Sequence, residues 1–212
     1  PFRNDPPRLV SELKRLVDAA GQSHKAGQHA QAQAAFRRAL ELAPTEAWLW
    51  NELGTTLLDV KAWDQAADAF QRALELDGGG GNGLRGGDSI LAWVGLAEVF
   101  EARKAYGELK QVLEHIVDVD EPNGGFWSWL GEVNGHLGLW DEAIQAYWTA
   151  IGLGGSPEQS ATRWQGLIES YLAKGDREGA IEALRDGLER SPTALKHELE
   201  QRLRELLKKA FQ

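Results

Sequence analysis

Residue types able to do chemistry at a meaningful spacing are few in this sequence. Gly78 to Asp88 holds seven glycines in eleven residues, and Gly81, Gly83 and Gly86 match the G-x-G-x-x-G spacing that brings backbone amides against a pyrophosphate. That chemistry needs a strand before the loop. Here the preceding residues have helical periodicity, and no Gly-Lys-Ser/Thr follows. The stretch is expected to be a flexible insertion that binds no nucleotide. The five histidines, His24, His29, His115, His136 and His197, form no His-Glu-x-x-His motif and no other ligand pair at helical spacing. His24 and His29 are five apart, which takes them off a common helix face, so all five are expected to be surface or lining residues. The acidic run Asp118 to Glu121 ends a helical stretch just before Pro122 and has the character of a solvated loop. There is no cysteine, hence no disulfide, thiolate zinc site, iron–sulfur cluster or cysteine nucleophile, and no Gly-x-Ser-x-Gly elbow. The expectation is a protein that is not an enzyme, with no catalytic residue, no cofactor and no metal ligand.

Stepping from chemistry to charge, the 212 residues carry 23 Lys/Arg against 32 Asp/Glu, a formal net charge of −9. Residues 1–44 are net +3 and residues 193–212 net +2, leaving −14 in between. An acidic body excludes a general nucleic-acid binder, which would present a basic face, and favours basic partners. No apolar run approaches the roughly 18 residues of a membrane helix, and no signal-peptide pattern stands at Pro1. A cytoplasmic protein without membrane or nucleic-acid partners is therefore expected. The absence of methionine, with Pro1 at the start, suggests a piece of a longer protein.

The dominant feature is internal repetition. Trp50 is followed by Leu53-Gly54, Ala66, Phe70 and Ala73; Trp127 is followed by Leu130-Gly131, Ala143, Tyr147 and Ala150 at identical spacings. Trp164 leads to Leu167, Ala180 and Leu184, and Trp93 to Leu96-Ala97, Leu109, Leu113 and Ile116. Leu16, Ala19-Ala20, Ala32, Phe36 and Ala39 fill the same slots without the tryptophan. Each unit holds two apolar stripes of helical period split by a turn, at Ala26-Gly27-Gln28, Val60-Lys61-Ala62, Arg103-Lys104, Leu137-Gly138-Leu139 and Lys174-Gly175-Asp176. Small residues (Ala32, Ala66, Ala143, Ala180) suit close helix approach, and Phe36, Phe70, Leu113, Tyr147 and Leu184 suit plugs between neighbours. No segment has the alternation of a strand.

This pattern resembles the tetratricopeptide repeat (TPR), a helix-turn-helix unit of about 34 residues. The units start near Leu13, Ala47, Ile90, Gly124 and Ala161, spaced 34, 43, 34 and 37 apart, so two junctions carry insertions. The resemblance implies an all-α, right-handed superhelical solenoid of about eleven helices. Its expected division is an extended N-terminal lead (1–12), repeats at 13–46 and 47–77, the Gly-rich insertion (78–88), repeats at 89–123, 124–155 and 156–192, and an amphipathic capping helix (193–212). Within the lead, residues 1–7 hold three prolines and should be extended up to a helix starting near Pro7. In the capping helix Leu195, Leu199, Leu203, Leu206 and Leu207 form one stripe.

In TPR solenoids the first helix of each pair lines a concave groove, so the resemblance implies which residues face a ligand. The set expected to bind a partner is Trp48, Asn51, Glu52, Glu98, Glu101, Ser128, Trp129, Glu132, His136, Gln165 and Glu169. Glu98, Glu132 and Glu169 share the ninth position of three consecutive units and should stack as an acidic ladder, which a Lys/Arg-bearing peptide would relieve. The carboxylate clamp by which some TPR proteins hold acidic chaperone tails is not matched: its places hold Val17, Gly21, Asn51, Leu91 and Gly95. The expected function is a non-catalytic scaffold binding a basic protein or peptide segment. The alternative is a structural or homo-oligomerising module of a larger protein or complex, engaging through its convex face, an end cap or the Gly-rich loop.

Overall fold

The computed structural model describes residues 6–77, 87–119 and 123–190, with positions 196, 197, 199–201, 204 and 205 towards the C-terminus. Ten helices are laid down: α1 Pro6–Lys25, α2 His29–Leu42, α3 Ala47–Asp59, α4 Trp63–Leu76, α5 Gly87–Ala102, α6 Tyr106–Val119, α7 Gly124–His136, α8 Trp140–Gly152, α9 Pro157–Lys174 and α10 Arg177–Arg190. The described positions beyond 195 are also helical, and no strand occurs among the described residues. The fold is all-α and of the TPR type, as the periodicity predicts. Contacts divide the chain into two compact units, Pro1–Ala105 and Tyr106–Gln212. In both, helices pack on helices one or two places away in sequence.

The five intra-repeat turns share one geometry. One residue within two positions of the end of each first helix adopts positive φ: Gly27 (70°), Lys61 (59°), Lys104 (55°), Gly138 (72°) and Gly175 (87°). Around each, two reversed hydrogen bonds close the helix end; Gly138 N–H donates to Gly135 O at 3.0 Å and Leu139 N–H to Asn134 O at 2.9 Å, and the same pair recurs at the other four. This is the Schellman C-cap, which satisfies carbonyls that a helix end leaves free. Glycine suits it because no Cβ resists the left-handed backbone.

Helix starts have equally local causes. α1 begins at Pro6, one residue before the expected start near Pro7 and inside the span 1–12 set down as the lead, because proline in a first helical turn has its φ preset and gives up no needed donor. α9 begins four residues before the fifth repeat's expected start, where Ser156 and Gln159 form a reciprocal capping box and Pro157 takes the first helical position. Of the Gly-rich insertion, residues 78–86 lie outside the described residues, and α5 starts at Gly87.

The core follows the repeat slots. Ala32, Ala66, Ala143 and Ala180 are fully buried, and Phe36, Phe70, Leu113, Tyr147 and Leu184 are buried too. Two rings do more than fill space. Phe70 of α4 wedges against Gly54 of α3 and Gly95 of α5, and Tyr147 of α8 against Gly131 of α7 and Gly166 of α9. Side chains at these glycines would occupy the ring positions, so the aromatic residue and its paired glycines set the helix spacing together. Trp164 is buried in the second unit's core with Leu167, Leu184 and Leu199, its ring edge-on to Trp148 at 5.5 Å. Leu199 thereby joins the core as the capping stripe predicts; Leu195, Leu203, Leu206 and Leu207 of that stripe lie outside the described residues.

Candidate functional site

In the first unit, α3 and α5 lie side by side with Phe70 behind them. Their accessible residues include Glu52, Asp59, Glu98 and Glu101. Glu98 is reached by solvent, yet enough protein surrounds it that desolvation raises its pKa, with Glu101 and Asp59 adding like-charge repulsion. Trp48 is half-buried and donates its indole N–H to Glu46 Oε2 at 3.1 Å. Asn51 departs from expectation: it is only 7% exposed, on the packed side of α3, and offers no open surface. Gly95 is likewise buried beneath Phe70.

In the second unit, α7 and α9 take the equivalent places around Tyr147. Glu132 and Glu169 are exposed, and both act on the Tyr147 hydroxyl. Burial, then Glu132, then Glu169, push its pKa up to about 12. Glu132 and Glu169 thus both lie within electrostatic reach of Tyr147, while Glu98 sits in the first unit with acids of its own. Ser128, Trp129 and Gln165 are half-buried on the same helices. His136 is exposed, with its ring stacked on Tyr106 at 4.4 Å and 14°.

The tyrosine supplies a pH prediction. Its folded pKa lies above the ordinary 10, so the contribution of the neutral phenol is fully present below pH 10 and is lost as pH rises towards 12. Alkaline unfolding should cost the wild type on the order of 2 kcal/mol more over that interval than Tyr147→Phe. Urea titrations of both proteins at pH 9.5 and 11.5 measure the difference.

Two features escape a reading by spacing. Arg163 of α9 is 3% exposed; its Nη1 donates to Ala150 O at 2.8 Å and to Gly154 O, tying α9 to the C-terminal end of α8, and burial lowers its pKa. It stands beside Trp164 in a polar-looking stretch, and only the packing of α8 on α9 reveals it. The second is His24, His29 and Asp59. Helix spacing separates the histidines only if one helix carries both; instead α1 ends at Lys25, the chain reverses at Gly27, and His29 opens α2. The rings lie 6.0 Å apart, and Asp59, which ends α3, meets both. The usable signal was a histidine on each side of a glycine turn, with a carboxylate 35 residues, one repeat, further on. No helix among the described residues is long and apolar enough to cross a membrane.

Known proteins give the same picture. The tetratricopeptide repeat family profile matches residues 23–80. The human and mouse Cell division cycle protein 16 homologs are each 26% identical over 152 residues, 70% of this chain and 24% of theirs, so the chain spans about a quarter of the length of these curated relatives. The crystal structure of MamA protein superposes with a TM-score of 0.71 at 19% identity, covering 85% of this chain and 92% of that one. YrrB, described as a TPR protein with an unusual peptide-binding site, superposes at 0.67 and 19% identity, covering 88% and 90%. A helix pair that cannot bury its own apolar face must recur, and what recurs here has the fold of the tetratricopeptide unit, with residues 23–80 matching that family.

Proposed function

We propose that the chain is a non-catalytic scaffold that binds a basic, Lys/Arg-bearing protein segment through the acidic faces of its first helices. The carrying observation is like-charge crowding at Glu98, whose carboxyl is raised by its own partial burial and by Glu101 and Asp59. Acids held close against one another lose part of their ionisation energy, and a cation placed among them restores it. The second unit repeats the arrangement with Glu132 and Glu169 around Tyr147. Half-buried Trp48 and Trp129 lie on α3 and α7, the helices that carry Asp59 and Glu132, and would offer flat apolar surface for the aliphatic stems of Lys and Arg. YrrB's peptide-binding site, on the same fold, makes peptide binding a natural use for this one.

Titration with Lys/Arg-rich and Asp/Glu-rich peptides, followed by tryptophan fluorescence, tests this. The basic peptide should bind and the acidic one should not, with affinity falling as salt rises. The Glu98→Gln/Glu132→Gln/Glu169→Gln variant should bind the basic peptide roughly tenfold or more weakly. Unchanged affinity in that variant would sink the proposal and move the contact to another face.

A further inference from the structure

His24, His29 and Asp59 bring three side chains able to ligate a metal to one place. Nε2 of His24 lies 2.7 Å from Oδ2 of Asp59, and Nδ1 of His29 lies 3.4 Å from the same oxygen. The ligand-capable atoms of all three residues fall within 4.8 Å of one another. Nδ1 of His29 is buried and makes no hydrogen bond, although it faces Asp59. The side chains keep 25%, 31% and 37% of their exposure, so the cluster is sheltered yet open to an ion from solvent.

We propose that these three residues bind one late divalent transition-metal ion, of the kind zinc represents. Metal–ligand bonds of about 2.0–2.2 Å at tetrahedral angles separate neighbouring donors by about 3.3 Å. The His29–Asp59 separation already has that value, and the His24–Asp59 contact opens by about half an ångström once an ion replaces the shared proton. Two imidazoles and one carboxylate suit zinc, nickel or copper rather than magnesium or calcium, which take all-oxygen shells. Three protein ligands leave a fourth position to water.

The ligands come from the last turn of α1, the first residue of α2 and the last residue of α3. A bound ion therefore staples the first repeat's two helices to the first helix of the next. Asp59 also belongs to the acidic face, so the His24 and His29 variants, which leave that face intact, are the ones that separate the metal site from the peptide proposal.

Isothermal titration of the full, tag-free chain with zinc chloride should give one equivalent at this site. Cobalt(II) should give the visible absorption of a four-coordinate centre. At zinc 100-fold above Kd the thermal midpoint of the wild type should rise on the order of 5–10 °C. His24→Gln and His29→Gln should each weaken zinc binding at least tenfold while far-ultraviolet circular dichroism keeps the wild-type helix content, and Asp59→Asn should do the same. Absence of zinc binding by the wild type, or an equivalent retained at full affinity in both histidine variants, overturns the assignment.

Discussion

Gly95→Ala is expected to destabilise the protein by about 2–3 kcal/mol, although alanine in a helix normally gains about 1 kcal/mol over glycine. A Cβ at Gly95 would stand 2.3 Å from Cζ of Phe70, and at Gly54 it would stand 2.7 Å from the same ring. The ring is 2% exposed and has nowhere to swing, so α5 itself must move. Gly21, in the interior of α1, has nothing within 4 Å of the added carbon, and Gly21→Ala should stabilise by about 0.5–1 kcal/mol. The opposed signs separate sterics from propensity. Phe70→Leu alone should cost about 1–3 kcal/mol, but in its background Gly95→Ala should lose most of its penalty, a coupling that a urea-denaturation double-mutant cycle reads directly. Equal effects of Gly95→Ala with and without Phe70 would show that the ring does not set the helix spacing.

The second large effect is expected at Arg163. Arg163→Ala should cost about 2–4 kcal/mol, through two charge-assisted hydrogen bonds lost and the carbonyl of buried Ala150, near the end of α8, left without this donor. The guanidinium also complements the negative end of that helix. Arg163→Met keeps most of the volume and should remain destabilised, which separates packing from hydrogen bonding. Arg163→Lys should recover only part, since one nitrogen, Nη1, serves both carbonyls and the shorter lysine stem ends before its position. Urea midpoints of the three variants, with slopes unchanged, decide the matter. A methionine variant as stable as wild type would mean that the carbonyls find other donors.

Periodicity made the repeats legible because TPR packing is local: Phe36, Phe70, Leu113, Tyr147 and Leu184 recur at one slot, and every one of them is buried. The turns were legible too, even at Lys61 and Lys104, where an unexpected residue takes positive φ, because the split between two apolar stripes marks a turn whatever residue fills it. The first helix was legible to within a residue, because prolines that break helices from within start them at the edge, although the lead was drawn too long, to residue 12. The candidate site was only partly legible. Glu132 and Glu169, which share the ninth position, both act on Tyr147, whereas Asn51, nominated by the same position rule, is buried. His24, His29 and Asp59 come together through a turn and a neighbouring repeat, which spacing along one helix does not register.

Packing of each helix on partners one or two places along the chain has a kinetic corollary. Almost every contact closes a short loop, so little chain entropy is spent before native contacts reward it, and folding should be fast for the length. Nucleation needs only a helix pair and its neighbour, so more than one part of the sequence can start the process. A slowed folding limb in a kinetic series would then point to the particular pair that a substitution damages, and the positions of such substitutions would map where folding begins.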